Sequence, residues 1–565
     1  MKKLLTAAIV VLTVLMTLSP LSAEVHLKHR WVWCMHNLLV DRSADEVIAL
    51  MERAKACGYT GFVLSDYKFN VLDWMGKEYF DNVERVKAKA RELELDIVPS
   101  VVSIGYASGL LAHDPNLVEG HPVVDAPFAV KGGELVPVMD EGATLTNGDF
   151  EDVKDAGFAG WQPEAPGRYV ARDRDVTRSG KTSVRMGGLP EDAGAVLRQT
   201  LDTEPFRAYH LSAWIRTEDF ADPGRIRLNA MGRRPARLVE QDLGVKRTQD
   251  WTQHHVVFNS LTNRRVRIEL DVAGSGAGKV WWDDVRLEPI GFVNVIRREA
   301  CPVKVTSPDG KTPYVEGRDF DRIEDPKLGR EKWAGTFAAW HTPPAVKVPE
   351  GSRLREGDRV LVSYYHPLIV LGSQVTCSLT DPKVYDIIDD QVKRVHALFA
   401  AKHYMMGYDE IRTGGWTPDY DDMTCGEALA GSVKKVHAIL RKHAPDAEIW
   451  VWNDMFDPNH NAKPRGRYYL VKTPWAGSWE GLAKDIHIMD WSVGLAPKSF
   501  AFFHGRGHTQ AMAGYYDGDP DANVRQWLAA AKASGADITG IMYTTWRGDY
   551  AKLEAFMEAV RKYEK

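Results

Sequence analysis

The sequence predicts an α/β fold: a (β/α)8 TIM barrel interrupted by an inserted all-β jelly-roll or sandwich domain. Three observations carry this expectation. Short apolar runs alternate with helix-length amphipathic segments at the start of the chain and again after Pro382, the pattern of a parallel sheet with helical crossovers. Between about residues 106 and 380 that alternation gives way to many short, polar-flanked β segments punctuated by Gly, Pro and Asp. The length, 565 residues at 44% hydrophobic and 26% charged, is too great for one domain and has the composition of a chain with real cores.

In chain order, residues 1–23 read as a signal peptide. Lys2 and Lys3 precede the apolar run 4–18, and Ser19-Pro20-Leu21-Ser22-Ala23 follows as a small-residue cleavage zone. The alternative is an uncleaved anchor, although the run is shorter than the roughly 20 residues that span a bilayer. No lipobox cysteine follows, and the expectation is a secreted or periplasmic protein with no stable membrane insertion after signal cleavage.

Residues 24–130 are expected to form the first part of the barrel. Arg30-Trp31-Val32-Trp33-Cys34-Met35-His36-Asn37 is the first strand, and 43–58 reads as a helix with Ser43 as N-cap and Glu46 completing a capping box. Gly61-Phe62-Val63-Leu64-Ser65-Asp66 is the second strand, 79–95 a charged amphipathic helix, and Asp96-Ile97-Val98-Pro99-Ser100-Val101-Val102 the third strand. Residues 143–290 are expected as the inserted β-sandwich and 291–375 as a small β extension. The barrel resumes over 376–565, with strands at 403–408, 448–452, 485–490, 510–515 and 540–545 and helices at 385–401, 426–442, 521–534 and 549–563. Order along the chain leaves an open doubly wound sheet as the alternative, but no G-x-G-x-x-G or P-loop run follows any strand.

The net charge is −5 with acidic and basic residues interleaved, so the sequence points to no basic face for a phosphate backbone and nucleic acid is not an expected partner. The five cysteines are far apart and without metal-ligand spacing, so neither a disulfide framework nor a zinc site is expected, and no cofactor. Eighteen Trp fill cores or lie in grooves where flat rings stack on ligands.

Barrel sites are built at the C-terminal ends of strands. There the sequence places His36, Asp66, Asp409, Glu410, Trp452, Asp454, Trp491, Tyr516, Tyr543 and Trp546. Asp after a strand also serves as a turn former or cap, and that reading stands beside the functional one for Asp66 and Asp490. Two carboxyls and several aromatics around one concave site are what glycosidic cleavage requires, with an oligo- or polysaccharide as the substrate. Asp409 and Glu410 are the candidate catalytic pair, with Gly407 before them leaving room for close backbone approach. Neighbours on a strand point to opposite faces, so both reach one pocket only where the strand has begun to turn.

Two motifs carry resemblances. Leu145-Thr146-Asn147-Gly148-Asp149-Phe150-Glu151 and Val280-Trp281-Trp282-Asp283-Asp284-Val285-Arg286-Leu287 resemble the two ends of jelly-roll carbohydrate-binding modules. His403-Tyr404-Met405-Met406-Gly407-Tyr408-Asp409-Glu410 resembles the fourth-strand motif of glycoside hydrolase family 20, the β-N-acetylhexosaminidases. That resemblance implies substrate-assisted retaining hydrolysis. Glu410 would be general acid/base, Asp409 would position the substrate's 2-acetamido group, and Trp452, Trp491, Trp546 and Tyr543 would correspond in type to the aromatic pocket. Tyr408 departs from the family's usual second Gly, and the family's α/β domain ahead of the barrel has no counterpart in this sequence. Three alternatives remain. One is a double-displacement glycosidase with Glu410 as acid/base and Asp517 as nucleophile, which needs carboxyls about 5 to 5.5 Å apart. The others are a non-catalytic polysaccharide-binding protein, and a metal-dependent hydrolase gathering His36, Asp66, His403 and Asp454 at one rim.

Overall fold

The structure, a computed structural model, describes residues 25–154, 157–163, 169–239, 241–274, 277–330 and 334–564; the signal peptide expected at 1–23 lies outside the described residues. Eight parallel strands close into a barrel: β1 (His29–Met35), β2 (Gly61–Ser65), β3 (Asp96–Val101), β4 (His403–Met406), β5 (Glu448–Trp452), β6 (Ile486–Asp490), β7 (Gln510–Tyr515) and β8 (Ile538–Thr544). β8 pairs back onto β1 from His29↔Gly540 to Val32↔Tyr543, which excludes the open sheet. β3 and β4 are neighbours although the whole insertion lies between them in sequence.

The pleat sorts the residues. Trp31 and Trp33 of β1, Trp450 and Trp452 of β5, Met405 and Met489 point inward and fill the barrel. Val32, Cys34, Ile449, Val451, Ile486 and Ile488, at the alternate positions, face the surrounding helices. The first helix starts two residues earlier than expected. It spans Asp41–Cys57 behind Val40 with no side-chain cap, so Ser43 is not its N-cap, and Glu46 instead pairs with Arg42 at 2.9 Å. A helix at Ala496–Gly505, between β6 and β7, has no counterpart in the sequence reading. Its run Phe500-Ala501-Phe502-Phe503 lacks a clear polar face, and burial of Phe500 and Phe503 holds it in place.

Among the described residues the insertion holds three antiparallel sheets of four or five strands and a two-stranded one, Val153–Lys154 with Gly157–Phe158. Two of them, ordered 249–259, 208–218, 279–289, 183–187, 170–173 and 226–231, 265–273, 194–202, 162–163, share one apolar core that includes Val184, Leu211, Ile215, Trp282, Leu197 and Ile268. Its two terminal motifs meet: Val285 N donates to Gly148 O at 2.8 Å, and a Cβ on Gly148 would fall 2.0 Å from Val285 O, so only glycine fits there. The third sheet corrects the expected limits of the first barrel part. His121–Lys131 leaves the barrel and pairs on one side with Glu134–Pro137 and on the other with Arg359–His366, which also pairs with Lys304–Thr306. The β extension expected at 291–375 is therefore completed by strands from before the sandwich, because an edge left by either segment alone would be unpaired.

Candidate active site

A cavity of about 590 Å³ opens at the C-terminal mouth of the barrel. Asp409 and Glu410 lie on its floor, Trp33, Trp452, Trp491 and Tyr516 wall it, and Trp546 and Tyr106 stand at its rim, each 43% exposed. The rings are packed edge to face or offset: Trp33 to Trp452 at 5.5 Å, Trp33 to Trp546 at 5.3 Å, and Trp491 to Tyr516 at 5.9 Å.

Both carboxyls reach the cavity because β4 ends at Met406, and Glu410 adopts the left-handed conformation at φ +47°. A non-glycine residue there carries about 1 to 3 kcal/mol of strain and persists only where neighbours hold it. Three groups do. Glu410 N donates to Asp454 Oδ2 at 3.0 Å, Gln374 Nε2 donates to Glu410 O at 2.9 Å, and Gln374 Nε2 also reaches Gly105 O at 3.1 Å. The room for this turn comes from Gly105 rather than Gly407. A Cβ on Gly105 would meet Asp409 O at 2.3 Å, whereas one on Gly407 would meet nothing closer than Ser103 Cα at 3.4 Å.

The two carboxyls have different surroundings. Arg412 Nη2 lies 2.6 Å from Glu410 Oε2, and the Tyr106 hydroxyl donates to the same oxygen at 2.5 Å. Arg412 is itself oriented by Tyr106 at 3.1 Å and by Gln374. Asp409 has no such cation: no side chain among the described residues hydrogen-bonds its carboxyl, and burial, with the negative Asp454 beside it, pushes it up to about 7. Asp454 is buried behind the pair and accepts from Asn461 Nδ2 at 2.8 Å; burial pushes it up to about 6 despite the hydrogen bond from Glu410 N. Burial thus favours the protonated form at Asp409 and Asp454, whereas the Glu410 carboxylate has Arg412 as its ion-pair partner.

Of the residues expected from sequence, Asp409, Glu410, Trp452, Trp491, Tyr516 and Trp546 line the cavity, and Asp454 supports it. Tyr516 enters by a local inversion. Tyr515, Tyr516 and Asp517 all have positive φ (72°, 46° and 61°), so Tyr515, inward by strand parity, turns out to stack on Tyr543, and Tyr516 turns in. Four expectations are corrected. Asp66 is a cap and turn former: its carboxylate accepts from Lys68 N, Leu38 N and the Tyr79 hydroxyl. His36 stacks on Tyr550 and lies 3.9 Å from Glu46, away from the cavity lining. The Tyr543 hydroxyl donates to Asp549 O at 2.7 Å on the outer side of the barrel wall. Asp517 accepts from Thr545 Oγ1 at 2.6 Å and does not line the cavity, so it does not face Glu410 across it. The metal-hydrolase alternative also loses its ligands, because His403 opens β4 at the opposite end of the barrel.

Sequence reasoning missed Trp33, Tyr106, Gln374 and Arg412. Trp33 carried a signal, being inward by parity with Trp31 and close to the end of β1. Tyr106 and Gln374 sit in irregular chain at the two borders of the insertion, where no periodicity marks them. Arg412, two residues past Glu410, was visible but unassigned.

No protein-family model matches the chain, and no curated protein matches it. Among solved structures, the chain is similar to TmCBM61 in complex with β-1,4-galactotriose at 19% identity, covering 26% of this chain and 97% of that one, with a TM-score of 0.20. It is similar to a rhamnosidase from Novosphingobium sp. PP1Y at 12% identity over 93% of this chain and 56% of that one, with a TM-score of 0.34. It is similar to the Flavobacterium johnsoniae chitobiase FjGH20 at 17% identity over 34% of this chain and 33% of that one, with a TM-score of 0.21. At such scores none of these likenesses decides what this protein acts on.

Proposed function

We propose that the protein is a glycoside hydrolase, with Asp409 and Glu410 as its catalytic pair. The observation that carries this reading is the pair itself: adjacent carboxyls, one ion-paired with Arg412 and one without a cation and pushed up by burial, on the floor of an aromatic-walled cavity large enough for a sugar ring. Hydrolysis needs a proton delivered to the leaving oxygen and negative charge near the developing oxocarbenium ion. Asp409 holds the proton and Glu410, fixed by Arg412 and Tyr106, supplies the charge. The substrate class we favour is a 2-acetamido sugar, whose own carbonyl oxygen replaces an enzyme nucleophile, since Asp517 is turned away.

A second division of roles follows from the family 20 resemblance, with Glu410 as acid/base and Asp409 on the acetamido N–H. It is favoured by Glu410 Oε1, which accepts no hydrogen bond among the described residues and is free to meet a glycosidic oxygen. We further propose that the two-sheet unit binds carbohydrate and that residues 1–23 direct export. No helix among the described residues is long and apolar enough to cross a membrane.

A screen over aryl glycosides tests the function: turnover of N-acetylhexosaminides is expected, and hydrolysis of plain glucosides alone would overturn the acetamido reading. Leaving groups then assign the roles. The variant lacking the acid, Asp409→Asn in the first division, keeps activity on a highly activated leaving group that needs no proton, while Glu410→Gln loses activity on all substrates. The opposite outcome establishes the second division. Asp517→Asn is expected to retain most activity.

A further inference from the structure

At the other end of the barrel, the first residues of three strands converge on its axis. His29 opens β1, His403 opens β4 and Glu448 opens β5, and His403 and Glu448 are registered Cα partners. His29 and Glu448 share the inward parity of Trp31 and Trp450, so the three side chains form the lowest layer of the barrel interior, closed above by those two indoles. His29 Nε2 lies 3.3 Å and His403 Nδ1 3.1 Å from Glu448 Oε2, and the three atoms all fall within 4.8 Å of one another.

We propose that this layer is a structural binding site for a divalent first-row cation of the Zn2+ class, with His29 Nε2, His403 Nδ1 and Glu448 Oε2 as ligands and water in the fourth position. Two imidazoles and a carboxylate form a zinc donor set, and a tetrahedral ion with bonds of about 2.0 to 2.1 Å holds its donors about 3.3 Å apart. The two shorter separations already match. Both histidines are buried, and His403 Nδ1 and Glu448 Oε2 are buried atoms that make no hydrogen bond, although they face each other.

The surroundings suit a bound cation. Asp96 Oδ2 stands 3.7 Å from His403 Nε2, on the ring nitrogen turned away from Glu448, where it favours a proton on Nε2 and leaves the Nδ1 lone pair free. Lys28 Nζ takes the other oxygen, Glu448 Oε1, at 2.7 Å, so Glu448 would bind through Oε2 alone. Such an ion would tie β1 to β4 and β5 across the barrel, joining the strands that precede the insertion to those that follow it.

The full chain, stripped with a chelator and dialysed, provides the test. The expected result is uptake of one Zn2+ per chain by mass spectrometry and a higher unfolding temperature with Zn2+, both lost in His29→Gln and in His403→Gln. Equal uptake in wild type and both variants would assign the ion elsewhere and overturn the proposal, as would no uptake by wild type. Should the variants fail to fold, Co2+ added to the stripped wild type still decides: a tetrahedral ligand-field spectrum supports the site, and an octahedral or absent one overturns it.

Discussion

Replacing Asp409 by Asn is expected to abolish most turnover of substrates whose leaving group needs a proton and yet stabilise the protein at alkaline pH. The Asp409 carboxyl is pushed from its ordinary 3.8 up to about 7, chiefly by burial, so the folded state binds this proton more tightly than the unfolded chain does. The stabilisation from the proton is fully present below about pH 4 and is lost as pH rises through about 7. At about 1.4 kcal/mol per pH unit, the charged form costs the fold about 4 kcal/mol as an upper bound. Water in the cavity screens part of this, and roughly 2 kcal/mol is the expected gain of the Asn variant at pH 8. For a unit of 150 to 250 residues that corresponds to a rise of about 4 °C or more in the barrel's unfolding temperature. Scanning calorimetry of both proteins from pH 4 to pH 9 measures it. The two are expected to coincide near pH 4, to diverge between about pH 4 and pH 7, and to stay a constant distance apart above that. Parallel curves would show that no proton is held at Asp409, and the first division of roles would fall with it.

Other residues separate structure from chemistry. Asp66→Ala removes the acceptor of three buried donors and should lower the unfolding temperature by an amount corresponding to about 1 to 3 kcal/mol while leaving KM unchanged. Gly105→Ala forces a methyl group onto Asp409 O and should cost about 1 to 3 kcal/mol together with most of kcat; Gly407→Ala is the tolerated control. Trp546→Ala at the rim should raise KM roughly fivefold, equivalent to about 1 kcal/mol of lost stacking, with little change in unfolding temperature. Unchanged KM in that variant would remove Trp546 from the binding surface.

The barrel was legible in sequence because its signals are local. Trp450-Val451-Trp452 shows a buried strand by composition alone, and each expected barrel strand lies within a few residues of the observed one. The helix at Ala496–Gly505 was not legible, because its apolar residues make no one-sided pattern and only the neighbouring helix and strands bury it. Within the candidate site, position at a strand end did not separate Asp409 from Asp66. Both follow apolar strands, but one carboxyl faces a cavity and the other faces backbone N–H groups, a difference set by how the next few residues turn.

By itself, then, the sequence determined the order of the strands, the presence of a β insertion and the placing of Asp409 and Glu410 after the fourth barrel strand, since these depend on patterns a few residues long. Tertiary structure alone decided the closure of β8 onto β1, the passage of Asp409 O over Gly105, the pairing of Arg412 and Tyr106 with one oxygen of Glu410, and the meeting of His29 with His403 and Glu448. Closing the barrel brings together side chains far apart in the chain, and no local pattern specifies which of them will touch.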